Sequence, residues 1–216
     1  MRLTYTIAQY DARQRLMPST PPTPSRSFVK AFLQLLYCSM SNVAENIIDI
    51  SNTSRTFSSA DSSECSVTHP GLSALNDCCF VVFNHNFSGT SALEIMADEC
   101  GIVIGTSSTA VAVGDDNLVT PIAHGASAGQ MTHYGCYGLN YTTGASSASF
   151  DVERIFRNDS GGSITVAEIG IYAATTMDST YAASQSFCLL RDVISPTVAV
   201  GDGEYLKVKY TITVSV

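Results

Sequence analysis

The segment that most constrains this chain is its last stretch, Gly201 to Val216. From Tyr205 onward, Leu206, Val208, Tyr210, Ile212, Val214 and Val216 fall on one face, and Lys207, Lys209, Thr211, Thr213 and Ser215 fall on the other. An unbroken period of two places successive side chains on opposite sides of an extended backbone, which is the pattern of a long, half-buried β-strand. Gly201-Asp202-Gly203 supplies the turn that opens it. A strand that runs to the last residue is expected to be tied into a sheet, which suits a scaffold better than a site built on loops.

The same signals recur upstream. Gly101–Thr106, Gly129–Tyr134, Ala148–Phe156, Ile164–Tyr172, Phe187–Val193 and Pro196–Val200 read as strands, with turn residues between them. Asn158-Asp159-Ser160-Gly161-Gly162 predicts a hairpin that joins Ala148–Phe156 to Ile164–Tyr172. Short strands at this spacing predict a mainly β fold, an antiparallel β-sandwich of jelly-roll or Ig-like kind. Two charged residues stand on faces that are otherwise apolar. Arg154 shares a face with Phe150, Val152 and Phe156, and Glu168 shares one with Ile164 and Val166. A carboxylate buried without a partner is costly. Glu168 is therefore expected in a structural ion pair with Arg154 or Arg191.

The N-terminal third is different. Residues 2–17 read as a strand, a turn near Asp11-Ala12 and a second short strand. Residues 18–25 hold four prolines, so they form an extended spacer that is neither helix nor inner strand. Ser25 or Ser27 is the expected cap of a helix over 27–41. Its stripe of Phe28, Val29, Phe32, Leu35, Leu36 and Met40 has helical spacing and must be buried against the sheet or a neighbouring subunit. Residues 51–79 read as a Ser/Thr-rich loop or arm. Phe80–Phe83 reads as a short buried strand, and Leu93–Met96 as a short helix or strand. The expected organisation is an anchoring arm over 1–50, a loop region over 51–100 and a sandwich over 101–216.

Charge sharpens this division. The chain carries 11 basic and 19 acidic residues. Residues 1–36 hold Arg2, Arg13, Arg15, Arg26 and Lys30 against Asp11 alone, so the body is strongly acidic. An acidic body disfavours nonspecific nucleic-acid binding, while the basic segment suits an acidic partner surface or a nucleic acid, with nucleic acid the less expected partner. The seven cysteines form no CxxC pair or regular framework and read as reduced, buried thiols. The start of the chain lacks the apolar core of a secretory signal, and no apolar run is long enough to span a bilayer.

Chemistry is sparse. No P-loop, GxSxG or GxGxxG occurs. His124 and His133 flank a small-residue loop and meet across it only as hydrogen-bonded loop histidines or a metal pair. Asp115-Asp116-Asn117 and Asp98-Glu99 offer oxygen ligands for Ca²⁺ without EF-hand spacing. Glu153 and Glu168, on either side of the expected hairpin, are the candidate acids of a glycan hydrolase. No catalytic residue, metal or cofactor is expected.

Three blocks carry a resemblance. They are Gly101-Ile102-Val103-Ile104-Gly105-Thr106 with Asp115-Asp116-Asn117-Leu118 and His124-Gly125, then Arg154–Tyr172, then Leu190-Arg191-Asp192-Val193 with Val198–Ile212. In this order they resemble a module of tailed-bacteriophage virion proteins, over about residues 101–216. The resemblance implies a virion part on the capsid, neck or tail, with no catalytic residues. The expected partners are further copies of the chain, as a trimer or ring, and other virion proteins, with no membrane. The expected contact residues are Arg2, Arg13, Arg15, Phe28, Phe32, Leu36, Lys207 and Lys209. Lys207 and Lys209 would also guard the terminal strand as a sheet edge. The alternative is a receptor- or carbohydrate-binding module using Tyr134, Tyr137 and Tyr141.

Overall fold

A computed structural model describes residues 2–17, 19–25, 27–41, 45–57, 98–176 and 184–216. Most of the 51–79 loop, Phe80–Phe83 and Leu93–Met96 lie outside the described residues. The rest is an antiparallel β-sandwich with one helix.

The front sheet has five strands. β1 is Arg2–Tyr10, β2 is Thr23–Ser25, β6 is Thr132–Thr143, β7 is Ser147–Arg157 and β10 is Tyr205–Ser215. Their order is β2-β1-β10-β7-β6. The back sheet is ordered β5-β8-β9, from Gly101–Gly105, Ile164–Thr176 and Ser184–Val200. β3 (Glu45–Ile48) and β4 (Ser54–Phe57) form a separate ribbon, and α1 spans Lys30–Ser41.

The alternation in β10 does what the sequence implies. Leu206, Val208 and Tyr210 point inward and are fully buried. Each buried side chain of this size contributes about 1.5–3 kcal/mol from the apolar area taken out of water. Along the same face, Ile212 packs against the core only in part and Val214 is exposed. Residues from both sheets, β1, α1 and β3 form a single hydrophobic core, so the 1–50 and 101–216 segments share it.

Three expectations are corrected by topology. First, β10 is not an edge, because β1 pairs with it on one side and β7 on the other. Lys207 and Lys209 therefore guard nothing. Second, Asn158–Gly162 is not a hairpin turn, since β7 pairs with β10 and β6 while β8 pairs with β5 and β9. The segment is an arch that carries the chain from the front sheet to the back. A second arch, Gly201–Glu204, returns it from β9 to β10. Asn158 locks the two together. Its side-chain amide donates to Gly162 O at 2.7 Å and Val200 O at 2.8 Å, and Gly203 N–H donates to its carbonyl at 2.7 Å. Gly203 has φ +76°, a left-handed conformation that glycine adopts without strain.

Third, neither serine caps the helix. Ser25 donates its hydroxyl to Asp192 Oδ2 at 2.7 Å, and the Ser27 carbonyl accepts from Arg191 N–H at 3.1 Å. Residues 27–29 run along β9 instead, with Val29 N–H donating to Leu189 O, and the helix begins at Lys30. Within the helix, Ala31 and Leu35 are buried, Phe28 stacks on Phe32 at 4.4 Å, and Leu33, Leu36 and Tyr37 are exposed. Of the proline-rich segment, residues 19–25 are described, and Thr20 N–H donates to Ile7 O at 2.9 Å. The segment folds back over β1, and its last residues form the short edge strand β2, where Pro24 costs no ladder hydrogen bond.

Candidate functional site

The charged groups considered for a site fall into three environments: beneath the 109–120 loop on the back sheet, between the two sheets, and on the outer face of the front sheet. Under the 109–120 loop, on the face of the back sheet turned away from the front sheet, Glu168 on β8 and Arg191 on β9 form the ion pair that the sequence called for, at 2.7 Å with both side chains fully buried. Arg191 also reaches Asp115 Oδ2 at 2.8 Å and the Thr109 carbonyl at 2.8 Å. Glu168 accepts the Thr120 N–H at 2.8 Å and the Val119 N–H at 3.2 Å. The pair thus pins the whole 109–120 loop onto the back sheet. Gly105 makes room for it, since a Cβ there would fall 2.5 Å from Glu168 Oε1. Asp115 is engaged by Arg191, the Asn117 amide oxygen accepts from Tyr172 and its NH2 donates to the Ile50 carbonyl, so these two side chains hold the loop.

Arg154 does not join that pair. It is buried on β7 and donates to three carbonyls, Tyr134 O at 2.7 Å, Ile102 O at 2.8 Å and Cys100 O at 3.1 Å. Its guanidinium also lies 5.6 Å from the centre of the Phe156 ring. Burial holds its pKa below the usual arginine range, because nearby groups offset the loss of water only in part. The arginine staples β5 of the back sheet to β6 and β7 of the front one.

His124 and His133 do meet, with ring centres 5.6 Å apart. His133 N–H donates to His124 Nδ1 at 3.0 Å, and His133 Nδ1 lies 3.1 Å from Asp98 Oδ1. The same Asp98 oxygen accepts His124 N–H at 2.6 Å. These bonds close the 124–133 loop. Among the described residues, no group of three or more His, Cys, Asp or Glu is arranged to hold a metal. Cys100, Cys136 and Cys188 are buried thiols. Burial pushes Cys136 and Cys188 above the ordinary thiol range, the opposite of a reactive nucleophile.

On the outer face, charges pair across neighbouring strands. Lys207 meets Glu153 at 2.6 Å and Lys209 meets Asp151 at 3.5 Å. Glu153 therefore lies on the outer face of the front sheet and Glu168 beneath the 109–120 loop on the back sheet, so the two do not form a catalytic pair of carboxylates. Of the other expected contact residues, Arg2 and Arg13 are exposed. Arg15 pairs with Asp11 at 2.7 Å, Phe28 and Phe32 pack partly against the core, and Leu36 is exposed on α1. Sequence reasoning missed Tyr10 and Tyr205, which line a cleft of about 450 Å³ together with Tyr134 and Tyr137. Their signal is weak, since Tyr10 and Tyr205 look like ordinary strand residues until β1 and β10 are paired through Tyr10↔Tyr205.

Asp151 gives the outer face a dependence on pH. Burial alone raises its pKa, but hydrogen bonds from Asn140 at 2.9 Å and Thr211 at 2.6 Å, with the charge of Lys209, outweigh it and leave the pKa lowered. A carboxylate whose folded pKa lies below its unfolded one stabilises the fold above the unfolded pKa. That contribution disappears as pH falls through the folded value. Asp49 and Asp98 are lowered in the same direction. Denaturant midpoints are therefore expected to hold steady near neutral pH and fall below about pH 4. Asp151→Asn is expected to make that acid limb shallower. An equal slope in the variant would show that Asp151 contributes nothing to it.

Fold and site together define a β-sandwich protein whose buried charges serve structure and whose outer sheet face carries aromatic and paired charged groups. No known family model, curated protein or solved structure matches the chain.

Proposed function

We propose that the chain is a structural subunit of a tailed-phage virion, placed on the capsid, neck or tail and held there by contacts between copies. The order of the three strand-and-turn blocks in 101–216 supports the virion reading. The way the sandwich treats its edges supports assembly, and this observation carries the proposal. β5 is covered by residues 120–122, through Thr106 N–H to Thr120 O and Ile122 N–H to Ile104 O. β9 is covered by residues 27–29 and by Ile50. β2 is three residues long and carries Pro24. β6 pairs with β7 alone among the described residues, and it exposes Leu139 and, at 74% of its surface, Tyr141. Natural sheets shield such an edge, and an apolar one left open suits a partner chain. The exposed Leu33, Leu36 and Tyr37 on α1 offer a second apolar contact.

Light scattering on the purified protein is expected to give a closed oligomer, a trimer or a larger ring. Leu139→Glu with Tyr141→Glu is expected to reduce it to monomer with unchanged circular dichroism. Mass spectrometry of purified particles is expected to find the chain in fixed copy number. A wild-type protein that is monomeric at every concentration, or is missing from particles, overturns the reading.

A further inference from the structure

The outer face of the front sheet carries two clefts with a common floor. The first is the tyrosine-lined cleft, with Gln14 at its rim. The second, about 650 Å³, lies between the Thr20–Pro22 segment and Asn140. Glu153 and Lys207 line both, so the clefts meet at that pair.

We propose that this groove binds a neutral oligosaccharide, with the tyrosine end as its main subsite. A pyranose ring has an apolar C–H face and a rim of hydroxyls, so it is recognised by an aromatic surface beside mixed donors and acceptors. Here the aromatic surface is four tyrosines from three strands, two of them 43% exposed, a costly arrangement for a sheet that only faces water. The rings are also positioned. An added Cβ at Gly135 would fall 2.5 Å from Tyr137 Oη, so the Tyr137 ring lies over a residue with no side chain. Tyr205 is held under the Arg157 guanidinium, 5.4 Å from its ring centre.

The polar groups complete the match. The Glu153 carboxylate accepts hydroxyls, the Lys207 ammonium donates to them, and the side-chain amides of Gln14 and Asn140 do both. Charge selects the class of sugar. Lys207 is paired with Glu153, Lys209 with Asp151 and Arg157 with Asp159, and Arg154, which also borders the tyrosine cleft, is buried with its guanidinium turned inward onto three carbonyls, so the groove presents no surplus cation for a uronate, sialate or phosphate. The site does not depend on the virion reading.

Saturation-transfer NMR on the full chain tests the proposal, with cellohexaose, maltohexaose and chitohexaose as probes and hexagalacturonate as the anionic comparison. At least one neutral hexamer is expected to bind, and hexagalacturonate is not. Tyr137→Ala is expected to weaken binding roughly tenfold, the loss of one stacking platform. Gly135→Ala, which displaces the same ring without removing it, is expected to act in the same direction, as is Gln14→Ala on the exposed rim. Val113→Ala, exposed on the 109–120 loop and outside the groove, is expected to leave binding unchanged. No response from any neutral hexamer, preference for hexagalacturonate, or equal losses in Tyr137→Ala and Val113→Ala would each overturn it.

Discussion

Replacing Arg191 by Met is expected to lower unfolding stability by about 3–5 kcal/mol and Tm by on the order of 10 °C. The size follows from what stays behind. Glu168 is fully buried, and its only described cation partner is Arg191. Methionine fills the volume but leaves a carboxylate buried under the 109–120 loop with no counter-charge, and removing one member of a buried pair is the costly operation. The change also releases Asp115 and the Thr109 carbonyl, so the 109–120 loop should gain amide hydrogen exchange before the sheets do. The double variant Glu168→Gln, Arg191→Met is expected to recover part of the loss. The glutamine amide oxygen can still accept from one of Val119 and Thr120 N–H, which bond different oxygens of Glu168, and the stranded charge is gone. Chemical denaturation of the single and double variants separates these effects. A single-variant loss below about 1 kcal/mol would show that the pair does not hold this loop.

Arg154→Met is expected to cost about 2–3 kcal/mol through a different mechanism. Arg154 has no carboxylate among its hydrogen-bond partners, so its removal strands no opposite charge, and the relief of a desolvated cation offsets part of the damage. The cost comes from three carbonyls on two sheets that lose a donor in the interior. Arg154→Lys is expected to be nearly as harmful, because one ammonium at the end of a flexible stem cannot reproduce a fork aimed at three oxygens. The loss should appear as faster exchange at the starts of β5 and β6. Full rescue by lysine would assign the effect to charge alone.

These two arginines also mark where reading the sequence reaches its limit. Period-two alternation identified Glu168 and Arg154 as charges on apolar faces, and the cost of burial required a partner for Glu168. The choice between Arg154 and Arg191 was not available, because it depends on which strands share a sheet. β8 and β9 do, and β7 lies in the other layer. The same gap turned the Asn158–Gly162 arch into an expected hairpin. Its residues specify a tight turn, and a turn is compatible with either returning along the same sheet or crossing to the opposite one. The tyrosine groove was half legible. Tyr134 and Tyr137 stood out as aromatic residues near loops, whereas Tyr10 and Tyr205 join them only once β1 pairs with β10 across nearly the whole chain length.

The local pattern of this sequence determined that the chain is a β protein, which face of the terminal strand is buried, where the chain turns, and that the proline-rich segment holds no helix among its described residues. These follow from the two-residue repeat of a strand and from the backbone limits of proline and glycine, which act over a few residues. Tertiary structure alone decided the neighbours. It placed β10 in the middle of its sheet, routed two turns between layers, gave Arg191 rather than Arg154 to Glu168, and left β6 with no second strand partner among the described residues. Strand pairing uses backbone groups common to almost every residue, so the order of strands is set by how the whole set of faces closes over one core.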